Sequence, residues 1–352
     1  MDLFAHLKEL CAAPGVSGYE GRVREVIAKA WKPLTAEVRA DRLGSLWAIR
    51  PGHGPAPRPR LMLAAHMDTI GLMVTMIEGE FLRVVSIGGI DARVMPGQPV
   101  TVHGRRDLSG LVVQPDDFLL PKAHREGVVP VSELLVDCGL PAAQLAELVQ
   151  VGDVISFAQT PIELQNGLLA ANRLDNRASV AAVTVCLNEL QTRPHFWDVT
   201  AVATVQEETR LLGAITSAFE LQPQLAIAID VTWGSGPGTR DYADKVFDLG
   251  EGPTLGFGPN VHPQLHAALK AVADRLEISY KLEPMAAHSG TDAFGMQIAR
   301  AGVPTAVIGL PLRNMHTPVE VIAVKDVQRA GRLLAEFIAG LDSKFMDSLQ
   351  LD

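Results

Sequence analysis

Thiols are scarce in this chain. Its 352 residues hold three cysteines, Cys11, Cys138 and Cys186, and no CxxC pair. That excludes a disulfide scaffold and a thiolate zinc site, and it fits a reducing compartment. No apolar run reaches the roughly 18 residues a membrane helix needs, so no membrane contact is expected. The opening MDLFAHLKEL lacks a basic start followed by an apolar core, so a secretory leader is not expected and the cytoplasm is the default location. Basic residues are outnumbered, 31 against 40 acidic, for a net charge of −9. A general nucleic-acid binder carries the opposite balance. GxSxG elbows, phosphate loops, internal repeats and low-complexity tracts are all missing, which removes serine-nucleophile and nucleotide chemistry from consideration.

What is present is an ordinary globular composition, 47% hydrophobic and 20% charged, over a length that suggests about two domains. Leu3, Phe4, Leu7, Leu10 and Cys11 share a helical face, and Val23, Val26, Ile27 and Ala30 make a second one after the break at Pro14-Gly15. Ser17-Gly18-Tyr19-Glu20 reads as a capping box for that second helix. Leu61–His66 is a short apolar run, the mark of a buried strand. Residues 71–163 change texture: short β-branched runs recur between turns, with one short helix at Ala142–Leu148, and read as an inserted all-β domain. Residues 1–70 and 164–352 form the larger domain. There strands at Val199–Val205, Leu225–Ile229 and Thr305–Leu310 alternate with helices at Ser179–Leu190, Leu211–Phe219, Pro263–Leu276 and Val327–Leu341. The expected fold class is α/β: a mixed, mostly parallel sheet sandwiched by helices.

Ligands of open α/β sheets bind beyond the carboxyl ends of the strands. Those ends carry His66-Met67-Asp68, Gln206-Glu207-Glu208, Asp230 and His316, and Asp175 sits just before the buried helix. Taken alone, an HxD is common by chance, a Glu-Glu pair is usually a solvated face, and an Asp before a helix is usually an N-cap. Together they bring carboxylates to one edge of one sheet, where burial without compensation costs several kcal/mol each. A cation removes that cost. Two imidazoles and several carboxylates without sulfur suit zinc or a neighbouring divalent metal, and they are enough for two ions roughly 3.5–4 Å apart sharing one carboxylate. One tension remains: adjacent strand residues point to opposite faces, so the chain must leave strand geometry at Glu207-Glu208. The other histidines, His103, His124, His195, His262 and His266, read as surface or cap residues, and His288 as part of a pocket loop.

Six ordered motifs carry a family resemblance: His66-Met67-Asp68-Thr69-Ile70-Gly71, Leu174-Asp175-Asn176-Arg177, Gln206-Glu207-Glu208, Ala228-Ile229-Asp230-Val231-Thr232, Ser289-Gly290-Thr291-Asp292 and Arg313-Asn314-Met315-His316-Thr317-Pro318-Val319-Glu320. In order and spacing the chain resembles the glutamyl and deblocking aminopeptidases, the tetrahedral TET metallopeptidases of family M42, clan MH. The resemblance implies an aminopeptidase that holds two divalent ions, zinc or cobalt. His66 and Asp230 would hold one, Glu208 and His316 the other, and Asp175 would bridge. Glu207 would be the general base and Asp68 the group steering His66. It also implies a cis Asp175-Asn176 bond, short peptides as substrate, and dimers built through the β insert and assembled into a dodecamer. Departures fall at Thr69, Thr209, Arg210 and Ser179, and they bear on the pocket wall rather than on any ligand. Two rival readings stay open: a related binuclear hydrolase that deacylates N-acyl amino acids, and an inactive scaffold of the same fold.

Overall fold

The computed structural model describes residues 1–237, 239 and 245–349. Strands β1 (Glu37–Ala40), β2 (Leu46–Arg50) and β3 (Arg60–His66) come first. Six strands follow: β4 (Gly71–Glu78), β5 (Phe81–Ile87), β6 (Pro99–His103), β7 (Asp107–Val113), β8 (Leu135–Asp137) and β9 (Val154–Phe157). The chain then adds β10 (Ile162–Leu164), β11 (Leu168–Ala171), β12 (Asp198–Thr204), β13 (Leu225–Trp233), β14 (Thr254–Phe257), β15 (Lys281–Pro284), β16 (Thr305–Arg313) and β17 (Glu320–Ala323).

Among the described residues, eleven strands make one sheet in the order β1-β2-β12-β3-β13-β16-β17-β11-β10, with β14 pairing β16 and β15. Strands β4 to β9 close into a separate antiparallel barrel with its own apolar core. The main sheet is mixed, but its parallel character is confined to the centre. β12, β3, β13 and β16 run parallel, as do β14 and β15, while both arms are antiparallel. The parallel strands are buried on both faces, which is why they read as unbroken apolar runs. β13 and β16 run on to Trp233 and Arg313, beyond the ends expected at Ile229 and Leu310.

Helices cover both faces. Leu174–Glu189 and Val324–Gly340 pack on each other and on the central strands, and Leu212–Leu221 packs with Asp292–Gln297 on the opposite side. The first of these is buried along nearly its whole length, as its all-round apolar sequence requires. Arg173 and Arg177 at its start donate to the carbonyls of Leu10, Cys11 and Ala13, satisfying the open end of helix Leu3–Ala12. The second helix, Gly21–Trp31, does form, but the capping box does not. Glu20 instead accepts from the backbone N–H groups of Gly18 and Gln206, which ties the helix entry to the turn after β12.

Candidate active site

Register brings the site together. β3 and β13 pair in parallel up to Ala64 and Ala228. Two residues further, His66 and Asp230 stand level and on the same side of the sheet. The His66 ring is 2% exposed, with Nδ1 3.1 Å from the Asp68 carbonyl. In the neutral ring that acceptor places the proton on Nδ1 and the lone pair on Nε2. Nε2 lies 3.1 Å from Asp175 Oδ1 and 3.7 Å from Asp230 Oδ1. One donor atom from each of His66, Asp175 and Asp230 falls within 4.8 Å of the others.

The second half is built by loops. β12 ends at Thr204, Gln206 turns into the left-handed region at φ 57°, and Glu207–Arg210 makes one helical turn. Strand geometry thus stops before the two glutamates, and both can face the site. Gly213 contributes by close approach: a Cβ there would lie 2.5 Å from the Val205 backbone nitrogen. Asp68 holds the turn, its two oxygens accepting from the N–H groups of Glu207 (3.0 Å) and Glu208 (3.1 Å). The Asp68 carboxylate expected to steer His66 lies 3.5 Å from its Nδ1 and also clamps Glu207-Glu208, while the Asp68 backbone carbonyl is nearer the imidazole at 3.1 Å. His316 sits at φ 62°, with Nε2 3.3 Å from Asp175 Oδ2 and 3.7 Å from Glu208 Oε2. Asp175, Glu208 and His316 form a second group of donor atoms within 4.8 Å, so Asp175 offers one oxygen to each group. Asp175 makes no N-cap; its bond to Asn176 is cis and the carboxylate turns inward. Glu207 belongs to neither group, and its Oε2 is 3.8 Å from His66 Nε2.

One organising residue had no role in the sequence reading. Glu320, 2% exposed, accepts from the backbone N–H of Asp175 (3.0 Å) with one oxygen and of His316 (3.1 Å) with the other. The barrel also reaches the site. A Cβ on Gly88 would meet Glu208 Oε2 at 3.3 Å, and one on Gly89 would meet His316 Nδ1 at 3.1 Å. A side chain at Gly89 would have to displace the His316 ring by a few tenths of an ångström, and one at Gly88, whose φ is 76°, would also meet Ile70 Cγ2 at 2.8 Å.

Burial pushes the Glu207, Glu208 and Asp230 carboxyls well above their ordinary range, and their acidic neighbours add to it. Burial would lower the His66 ring, but the Glu207, Asp175, Asp68 and Asp230 carboxylates outweigh it and hold the ring well above normal. Burial likewise opposes ionisation of Asp175, yet His316 and His66 hold its carboxyl below the usual range. Asp292 is raised to about 6 by burial, and it accepts from the Thr204 hydroxyl. Left to itself such a cluster takes up protons; oxygen and imidazole donors without sulfur let divalent cations replace them. The residues present therefore fit a metal site.

The two groups open into a cavity of about 680 Å³. Of the four departures, Thr209 and Arg210 line it, whereas Thr69 is buried in a bridge to Val16 and Ser179 lies inside its helix. His288 lines the cavity as expected, its ring tilted 41° to the Phe294 ring with centroids 4.1 Å apart. His195 is not at the surface but 3% exposed, its ring edge-on to that of His53 at 5.8 Å.

Known proteins resemble this chain along nearly its whole length. The lysyl aminopeptidase of Pyrococcus furiosus is 36% identical over 335 residues, spanning 93% of this chain and 94% of its own. The TET aminopeptidase of a marine sediment Thaumarchaeota archaeon superposes with a TM-score of 0.92 at 29% identity, over 99% of both chains. The TET1 peptidase of Pyrococcus horikoshii, which can assemble into a tetrahedron or a large octahedral shell, gives 0.83 at 28% identity, over 97% of this chain and 100% of its own. The family described as M42 glutamyl aminopeptidase matches residues 44–333. This chain, then, is a member of the M42 aminopeptidases.

Proposed function

We propose that this aminopeptidase releases the first residue of short peptides with the help of two divalent ions, zinc or cobalt, one at His66 and Asp230, the other at Glu208 and His316, with Asp175 shared. The observation that carries this reading is the pair of donor groups meeting at the two oxygens of Asp175. Bound there, such ions acidify water and polarise a scissile carbonyl.

The chain's own residues supply the rest. Glu207, beside but outside both groups, takes the proton of the attacking water and returns it to the leaving amine. Asp68 fixes the height of Glu207 through its backbone, and Glu320 fixes Asp175 and His316 in the same way. The acidic wall attracts the cationic N-terminus of a peptide and so favours the first residue over internal ones.

Residues 1–70 and 164–352 form the catalytic unit in this reading, and 71–163 the dimerisation domain, with dimers assembling to a dodecamer. Exposed Phe118, Leu119 and Val128 on the insert support an interface there. Two of the three free thiols, Cys11 and Cys186, are buried, which supports a reducing, cytoplasmic setting. Among the described residues no helix is long and apolar enough to cross a membrane.

Chelated protein reloaded with zinc or cobalt should release N-terminal residues from free peptides and leave N-acetylated ones intact. Faster deacylation of N-acyl amino acids would replace this reading with the rival hydrolase. No turnover of either with zinc, cobalt or manganese would leave an inactive scaffold. Light scattering on the same protein separates dodecamer from dimer.

A further inference from the structure

One departure from the family pattern puts a cation on an acidic wall. Arg210 lines the cavity, and among the described residues it is the one lysine or arginine that does. Asp175, Glu207, Glu208, Asp230 and Glu283 line the same cavity. None of them pairs with Arg210, and its guanidinium has no hydrogen-bond acceptor among the described residues. Glu283 is satisfied elsewhere: its two oxygens accept from the Thr232 hydroxyl at 2.6 Å and the Thr254 hydroxyl at 2.5 Å. Thr209, the neighbouring departure, is tied into the wall; its hydroxyl donates to the Gln206 carbonyl at 3.3 Å and lies 3.4 Å from Ser17 Oγ. Arg210 alone keeps a full charge and a set of N–H donors that its surroundings do not use.

Its place relative to the reacting centre follows from the single helical turn Glu207–Arg210. Residues three apart on a helix share a face, with Cβ atoms about 5–6 Å apart. Arg210 therefore stands one turn from Glu207. To take its proton from Glu207, the leaving nitrogen must come within about 3 Å of that carboxylate. In a dipeptide the free carboxylate carbon is two bonds, about 2.5 Å, from the leaving nitrogen. In a longer peptide a neutral amide occupies that position, and the terminal carboxylate lies at least one residue, about 3.3–3.6 Å, further out.

We propose that Arg210 receives the free carboxylate of a dipeptide, so that the cavity favours dipeptides over longer or amidated peptides. The guanidinium fork matches the two carboxylate oxygens in charge and in geometry. It also offsets the acidic wall, which by itself repels an anion. Arg210 is exposed, so water screens the pair and the gain is moderate. Two competing readings remain: Arg210 only lowers the negative charge of the wall for every substrate alike, or it recognises an acidic side chain on the second residue.

Dipeptide preference of this kind rests on the aminopeptidase reading, and the choice of substrates separates their failures. With metal-loaded full-length protein, kcat/KM for leucylalanine should exceed that for leucylalanine amide by about fivefold or more. Arg210→Gln should bring that ratio to one or below. The loss should fall on KM rather than kcat, because the substrate carboxylate carries the same charge in the ground and transition states. Arg210→Lys keeps the charge without the fork and should retain part of the preference. Binding gives a readout independent of turnover: leucylalanine with a reduced CH2–NH bond should raise the melting temperature more than its C-terminal amide does, and should lose that advantage in Arg210→Gln. If Arg210→Gln fails to fold, Arg210→Lys and the wild-type melting shifts still decide. A wild-type ratio near one, or an unchanged ratio in folded Arg210→Gln, overturns the dipeptide proposal alone. So does a preference for leucylaspartate amide over leucylasparagine amide that leucylalanine does not match. No release of leucine from any of these peptides overturns the aminopeptidase reading and the proposal with it.

Discussion

The two histidines of the site are held in opposite ways. His66 ends a central parallel strand, is 2% exposed, and has its second nitrogen bonded to the carbonyl two residues on. The side chain of His316 is 36% exposed, in a loop at positive φ, braced by Glu320 through its backbone and by the barrel glycine Gly89 against its ring. The half containing His66 and Asp230 is thus a product of sheet register. The half containing Glu208 and His316 is a product of turns, and those turns depend on distant residues: Asp68, Glu320 and the barrel loop. A site of this kind combines one rigid wall with one assembled wall.

The contrast is tested most severely by His66→Ala. It should drop turnover below roughly one thousandth of wild type and abolish binding at the sheet-borne group, read by elemental analysis. Glu207→Gln should lower kcat by about 10²–10⁴-fold yet leave metal content unchanged, because it spares both donor groups. Retained turnover there would mean that another group carries the proton. Glu320→Gln should weaken metal affinity by about 10–100-fold, as loss of a supporting carboxylate does, and the loss should fall on the loop-borne ion. Equal weakening of both ions would erase the distinction between the halves. Gly89→Ala is the mildest probe: displacing the His316 ring by a few tenths of an ångström should cost about a few-fold in kcat and leave the melting temperature nearly unchanged. Finally, saturating zinc at roughly a thousand times its dissociation constant should stabilise the fold by about 4 kcal/mol, seen as a higher melting temperature than in chelator.

The sequence exposes these halves unequally. Apolar runs ending in His66 and containing Asp230 mark the sheet-borne group directly, because a buried strand and its polar end are local features. Nothing local separates Glu207-Glu208 from a solvated pair. The strand alternation that argued against them was correct as far as it went, and the resemblance supplied the rest. Glu320 lies in one of the motifs yet shows no local role, since its partners are backbone N–H groups, one of them 145 residues away. Glu283 has no role in the sequence reading; only the pairing of β14 with β15 and β16 shows that it turns inward. The capping box is missing for a related reason: the Ser17 N–H it needs donates to the distant Thr69 carbonyl, and Glu20 accepts from Gly18 and Gln206 instead. Strand centres and helix faces are written in period and composition, but hydrogen bonds that cross the fold leave no such trace.

The clamp made by Asp68 has a consequence for how this enzyme can change. In the proposed reaction the residue that would carry the proton, Glu207, and one that would hold a cation, Glu208, occupy successive positions and hang from the two oxygens of one acid. Any shift in that anchor moves both groups together, so natural variation cannot retune the reaction's acidity while leaving cation affinity untouched. Innovation is channelled instead to the opposite wall, where pocket residues are free to diverge without disturbing the chemistry.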